Sequence, residues 1–278
     1  MILVTGANGQ LGTALRNLLG SQATYLTRSD LDLGHPETFP RIIHDLRPKL
    51  LVNCAAYTAV DQAEAEPEQA MRVNATAVGR LAAAAAGAGA GFVTFSTDYV
   101  FDGRADRPYT ESSVPNPLNQ YGTSKLAGER SALSAHPEAL VIRTSWLLSG
   151  THQNFVSRIL ELARQRPLRV VDDQRGHPTM AADLAVATLE AVERGASGLL
   201  HLTNAGVSSW FELARECLQL AGIDQERVTP CSTEEFPRPA RRPANSVLES
   251  ERISVLGLSS LPHYRDGLSR AVTALSPT

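Results

Sequence analysis

The chain has 278 residues and very little lysine. Of its 26 basic residues only Lys49 and Lys125 are lysine, and the other 24 are arginine. It is also short of aromatics (5%), of cysteine (three) and of charge imbalance, with 26 basic against 29 acidic residues. Each scarcity excludes something. A net charge of −3 does not supply the basic footprint of a nucleic-acid binder. Cys54, Cys217 and Cys231 are odd in number and widely spaced, so they form neither a disulfide framework nor a metal cluster. The seven histidines show no metal-ligand spacing, and no metal is expected. The least polar stretch, residues 81–93, is mostly Ala and Gly, too short and too weakly apolar to span a bilayer. The opening Met1-Ile2-Leu3-Val4-Thr5-Gly6 reads as a structural strand and not as a secretion signal, so a cytoplasmic setting is expected. The lysine shortage itself reads as a bias toward arginine codons, which makes each lysine a rare event.

What the chain does have is alternation. Short apolar runs at 2–5, 24–26, 50–53, 92–96, 139–143 and 199–202 are separated by helical patterns at 10–19, 36–46, 68–86, 119–134, 154–165 and 181–193. Alternating β and α with continuous apolar strands predicts an α/β fold, a Rossmann-type doubly wound parallel sheet covered on both faces. After residue 205 the texture changes to one helix, 210–221, and a loop-rich stretch, 228–245, with four prolines. The expected organisation is a dinucleotide-binding domain over 1–146, rejoined by 181–204, and a smaller C-terminal substrate-binding lobe from 147–180 and 205–278. Glu64, Glu66 and Glu68 read as acids favoured at a helix start.

The first run leads directly into Gly6-Ala7-Asn8-Gly9-Gln10-Leu11-Gly12 and then a helix pattern. Glycines at these three places allow a sharp turn, close approach of a pyrophosphate, and helix-on-strand packing. The helix N-terminus offers free N–H groups to the anion. At the end of the second run, Arg28 stands nearer the strand than Asp30 or Asp32. A cation there suits the 2′-phosphate of NADP, so NADPH is expected, with NADH also accepted. The competing reading leaves Arg28 on the surface with Asp30 capping a turn.

Two later segments carry the chemistry. The fourth run ends in Ser96-Thr97-Asp98-Tyr99, placing hydroxyls and a carboxylate at the carboxyl end of a strand, where doubly wound sheets bind ligands. Tyr121 and Lys125 are four residues apart and share a helix face. A neighbouring ammonium favours the phenolate, so Lys125 is expected to lower the Tyr121 pKa from about 10. That would make Tyr121 a proton donor near neutral pH.

With these segments in view, the chain resembles the extended short-chain dehydrogenase/reductases and, within them, the dTDP-4-dehydrorhamnose reductases. The resemblance covers nearly the whole chain. Besides the glycine turn and the Ser-Thr-Asp and Tyr-x-x-x-Lys segments, it rests on Asn53-Cys54-Ala55-Ala56-Tyr57-Thr58-Ala59-Val60-Asp61, Arg143-Thr144-Ser145-Trp146, Asp173-Gln174-Arg175-Gly176-His177-Pro178-Thr179 and Arg242-Pro243-Ala244-Asn245-Ser246. The resemblance implies reduction of the 4-keto group of dTDP-4-dehydro-β-L-rhamnose to dTDP-L-rhamnose. It makes Tyr121, Lys125 and Thr97 catalytic. It gives cofactor contacts to Gly6, Gly9, Gln10, Leu11, Gly12, Asp32, Leu33, Ala55, Ala56, Tyr57, Phe95, Tyr121 and Lys125. Substrate contacts fall to Thr58, Val60, Thr97, Asp98, Tyr121, Trp146 and Arg242. A hydroxyl at Thr97 and the Tyr121 phenol are two donors for a developing alkoxide. Arg241 and Asn245 are further candidates for the substrate diphosphate region, and His177 reads as structural. Some relatives bridge a dimer through magnesium with a Glu where this chain has Ala14, so that assembly is not expected. The alternatives are a 4-ketoreductase of another dTDP-deoxysugar, and a non-catalytic NADP-binding subunit resembling the regulatory subunit of methionine adenosyltransferase.

Overall fold

The computed structural model describes residues 1–275. Six parallel strands form the central sheet: β1 (Ile2–Thr5), β2 (Ala23–Leu26), β3 (Leu50–Asn53), β4 (Gly91–Thr97), β5 (Leu140–Thr144) and β6 (Gly198–His201). Their order is β6-β5-β4-β3-β1-β2, so the sheet is doubly wound and reverses between β1 and β3. All six strands lie on the apolar runs of the sequence.

Successive residues of each strand face opposite sides, and the sequence supplies a hydrophobe for each. Val4, Val52, Val93 and Ile142 meet Leu11, Leu15 and Leu19 of helix α1 (Gln10–Leu19) on one face. Leu3, Leu51, Phe92 and Val141 meet Phe39 and Ile43 of α2 (Phe39–Leu46) on the other. This two-sided burial explains why the strands read as unbroken apolar runs.

The crossover between β3 and β4 is more segmented than its Ala-rich sequence suggests. It runs through α3 (Val60–Ala65), α4 (Pro67–Met71), a π-turn (Arg72–Thr76) and α5 (Ala77–Gly87). Pro67 lacks the N–H that would continue α3, so a new helix starts there. Only Glu68 of the three spaced acids sits in a first helical turn. Glu64 instead accepts from the Gln120 N–H at 2.8 Å, and Glu66 accepts from the Tyr57 hydroxyl at 2.8 Å. Helix α6 (Gln120–Ala135) joins β4 to β5. Asn119 caps it, its side-chain oxygen accepting from the Gly122 N–H at 2.7 Å, an arrangement that contributes about 1 kcal/mol.

The chain then leaves the sheet for α7 (Phe155–Gln165), returns through α8 (Ala181–Glu193) to β6, and leaves again for α9 (Trp210–Leu220) and α10 (Tyr264–Leu275). Helices α7, α9 and α10 share apolar clusters around Leu160, Leu213, Cys217 and Leu268. A parallel pair, Leu168–Val171 with Val228–Cys231, packs beside them. Helix α10 lies outside the helical patterns read from the sequence, and Gly267 interrupts it. Met180 packs where a Gly267 side chain would stand, so the glycine serves close packing. Between these elements, Ile253, Leu256, Leu258 and Leu261 pack into the α1/α8 core of the sheet.

Candidate active site

A cavity of 1290 Å³ runs along the carboxyl ends of the strands, from the glycine turn past β3 to β4 and β5. Gly6 adopts φ +64°, and a Cβ there would lie 2.5 Å from the Ala55 nitrogen, so the turns after β1 and β3 meet through a bare backbone. Helix α1 starts at Gly9 with no side-chain cap and no acid in its first turn, leaving its N–H groups to an anion. Gly6, Gly9, Gln10 and Leu11 line the cavity. Gly12 does not. It lies beneath, where a side chain would run into the Gly6 carbonyl, so its part is packing and not contact.

At the far end of this turn, Arg28 is exposed and its Nε lies 3.3 Å from Asp32. Asp32 accepts from the Gly34 N–H at 2.9 Å, and that bond together with Arg28 holds its carboxyl below the usual range. Asp30 caps the intervening turn through the Thr27 N–H at 2.8 Å. Arg28 and Asp32 line the cavity, Arg28 exposed, while Asp30 closes the turn. Leu33, Ala55, Ala56, Tyr57, Thr58 and Phe95 also line it. Val60 does not, because it opens α3. The β3 loop is braced by buried Asn74, which accepts from Tyr57 N–H at 2.8 Å and donates to Ser124 on α6 at 2.9 Å.

Tyr121, Lys125, Thr97 and Asp98 come together on one wall. The Lys125 ammonium donates to the Phe95 carbonyl of β4 at 2.6 Å. Burial pushes it down to about 8, with Glu129 opposing. Tyr121 departs from expectation. Burial pushes its phenol up to about 12, the Asp98 charge adds to this, and the Thr97 hydroxyl opposes it. Lys125 is not among the groups that shift it. A fully protonated phenol is still the form needed to give a proton. Thr97 donates to Asp98 Oδ1 at 2.9 Å and accepts from Tyr99 N–H at 3.2 Å. Burial pushes Asp98 up to about 6. Its Oδ2 and the Thr144 hydroxyl are buried with no hydrogen-bond partner among the described residues, and both residues line the cavity. Unpaired buried polar atoms are costly unless a ligand satisfies them.

A second cavity of 850 Å³ adjoins the first through Gln153, which lines both. Its walls carry Arg158, Arg169, Arg238 and Arg242 with Tyr99, Phe155 and Trp210. Arg242 thus lies outside the first cavity. Asp61 of α3 holds it at 2.7 Å and Arg238 at 2.7 Å. Burial pulls the Asp61 carboxyl up, but the two guanidiniums outweigh it and hold it at about 2. Arg241 enters through its backbone, its carbonyl accepting from Asn119 at 2.7 Å. Asn245 braces a turn, donating to the Ala105 carbonyl at 2.8 Å. His177 is buried with Nδ1 2.8 Å from the Gly206 carbonyl, a structural position. Trp146 takes φ +44° and stacks on Trp210 at 3.7 Å and 9°. Gly176 leaves room for the Trp146 ring. Trp146 lines the cavity with one ring face covered by Trp210.

Sequence reasoning missed Gln153, Thr144, Asp61, Phe155 and Trp210. Asp61 stood inside a quoted motif, and Thr144 beside Arg143 at a strand end. Phe155 and Trp210 follow the helix-start residues Asn154 and Ser209, which was the available signal.

A family model described as RmlD substrate binding domain matches residues 1–276. The dTDP-4-dehydrorhamnose reductase of Burkholderia thailandensis is 42% identical over 99% of this chain and 98% of its own. The dTDP-4-keto-6-deoxy-D-glucose reductase of Streptomyces niveus is 38% identical over 99% of this chain and 97% of its own. The crystal structure of the Bacillus anthracis dTDP-4-dehydrorhamnose reductase in complex with NADP aligns with a TM-score of 0.93, at 36% identity and 98% of each chain.

Proposed function

The chain belongs to the RmlD substrate binding domain family, and from that premise we propose that it is an oxidoreductase reducing the 4-keto group of dTDP-4-dehydro-β-L-rhamnose to dTDP-L-rhamnose with NADPH. The observation that carries this reading is the meeting of Thr97, Tyr121 and Lys125 on one wall of a cavity that begins at the glycine turn. The uncapped, acid-free start of α1 and the bare Gly6 backbone fit a dinucleotide pyrophosphate. NADPH, when bound there, supplies the hydride. Gly6, Gly9, Gln10 and Leu11 hold the pyrophosphate end, and Arg28 with Asp32 the adenosine ribose. NADH is accepted as well, because Asp32 offers a carboxylate to a 2′-hydroxyl.

Tyr121 protonates the C4 oxygen, and the Thr97 hydroxyl donates to the same oxygen as negative charge develops. Lys125 binds the nicotinamide ribose. The orphaned Asp98 Oδ2 accepts from a sugar hydroxyl. Thr58 and Trp146 border the sugar. The second cavity takes the dTDP moiety: guanidinium forks of Arg238 and Arg242 match phosphate oxygens, with Phe155 and Trp210 beside the base. Residues 1–146 and 181–204 act as the dinucleotide-binding part, and 147–180 with 205–278 as the substrate lobe. Among the described residues no helix is long and apolar enough to cross a membrane, and three free cysteines suit a reducing cytoplasm.

The test is NADPH oxidation with dTDP-4-dehydro-β-L-rhamnose. Substrate-dependent turnover yielding dTDP-L-rhamnose supports the reading. Turnover only with another dTDP-4-keto-6-deoxy sugar favours the second reading, which the likeness to the Streptomyces niveus enzyme supports. Cofactor binding without turnover on any such sugar leaves the non-catalytic subunit.

A further inference from the structure

One buried charged cluster lies behind the catalytic wall and is not used by the chemistry above. Tyr121, Lys125 and Glu129 succeed one another at four-residue steps along α6, so they form one stripe of the helix. Glu129 is 3% exposed and Arg143, on β5, is 1% exposed. Arg143 donates to both Glu129 oxygens, at 2.8 and 2.6 Å. Ser96, the residue before Thr97 on β4, donates to Glu129 at 2.5 Å. The carboxylate is thus pinned to the two strands whose ends form the site.

A buried ion pair is a weak stability device, because desolvation offsets the attraction and apolar packing does as well. Its placement one turn below a buried ammonium suggests another use. We infer that Glu129 is a positioning residue, which keeps Lys125 charged within the apolar interior, while Arg143 and Ser96 set how much of its negative charge Lys125 feels. Burial alone pulls the Lys125 ammonium down, and Glu129 opposes that pull. The remaining titratable groups on the elements packed against α6 are few. Tyr121 and exposed Arg130 share its helix, Asp98 and Tyr99 follow β4, and Asp61 and Glu64 stand on α3. Glu68, Arg72 and Arg80 lie exposed on the outer helices. His201 lies behind Arg143, 3.4 Å from it, and burial holds it at about 4, so it is neutral at pH 7 and does not replace Arg143 as a cation.

The shortage of lysine makes the test direct. Protein carrying 13C at lysine Cε shows two side-chain signals, and Lys49→Arg assigns the remaining one to Lys125. Titration of that signal in full-length protein follows the charge of Lys125 without substrate. Glu129→Gln is expected to move the Lys125 transition to lower pH by about one pH unit or more, and Arg143→Met to move it to higher pH by a similar amount. Ser96→Ala, the mildest change, moves it upward by less. The high-pH limb of kcat/KM moves in the same direction in each variant. A cluster that only holds the fold would change the melting temperature and leave the transition in place, or move it the same way in all variants; either result overturns the inference. If Glu129→Gln or Arg143→Met does not fold, Ser96→Ala decides, and no upward movement in it overturns the inference. The catalytic part of the inference rests on the proposed reduction, whereas the titration does not. Failure of the wild-type protein to turn over the sugar would remove the proposed reaction while leaving the Lys125 result readable.

Discussion

The two adjoining cavities are built in different ways. The first takes its walls from the carboxyl ends of β1 to β5, the turns just after them and helix α6, so most of its groups are placed by a few neighbouring residues and the sheet register. The second takes its walls from α7, the strand Leu168–Val171 and the loop carrying Phe236 to Arg242, segments far apart in the chain. Its charges also differ in kind. The first holds a single buried ammonium, stripped of water and anchored on a strand carbonyl. The second holds four guanidiniums, two of them paired with Asp61 of α3. Chemistry needs a few groups with altered proton affinity, which burial provides. Recognition of a diphosphate needs many fixed donors, which arginine provides without losing its charge.

This contrast can be broken at several points. Tyr121→Phe removes the proton donor alone, and kcat is expected to fall by about 10² to 10⁴ while NADPH affinity, read by fluorescence titration, is unchanged. Lys125→Arg keeps a positive charge but puts a planar fork in a site shaped for a compact ammonium, so turnover should fall by more than about tenfold with a native circular dichroism spectrum. In the second cavity the effect should take another form. Asp61→Asn frees Arg238 and Arg242, and KM for the dTDP-sugar should rise about tenfold, the scale of a lost charge-assisted bond, with kcat nearly unchanged. A fall in kcat equal to the rise in KM would break the division of labour between the cavities.

The pH profile sharpens it further. Lys125 loses its proton as pH rises through about 8, so kcat/KM should decline above that point. Arginines stay charged over the whole range, so the Kd for dTDP should show no such limb. The smallest effect belongs to exposed Lys49, ahead of β3. Lys49→Arg should leave activity intact and change stability by less than about 0.5 kcal/mol, measured by urea unfolding.

Much of the first cavity was legible because its signals are local. The glycine turn announces itself through spacing, and Thr97 and Tyr121 through their places at a strand end and on a helix. The Tyr121 proton affinity was misread for a physical reason. Spacing on a helix puts Lys125 near, but it does not show that the ammonium is bonded to Phe95 or that the phenol is buried. Val60 and Gly12 matched motif positions, yet one opens a helix and the other packs under a turn. The second cavity was nearly silent. Arg242 was visible as a fork suited to phosphate, but its partner Asp61 lies far away in the chain. Trp146 could be read from its strand end, but its stacking on Trp210 could not.

The sequence by itself determined the parallel sheet, the order of its elements and the turn that opens the first cavity. Those depend on periodicity and on residues within one βα unit, and such information survives in a linear string. Only the tertiary structure decided which arginines share Asp61, which face of Trp146 is free and how Lys125 is charged. Each depends on burial and on contacts between segments distant in the chain, and desolvation has no one-dimensional signature.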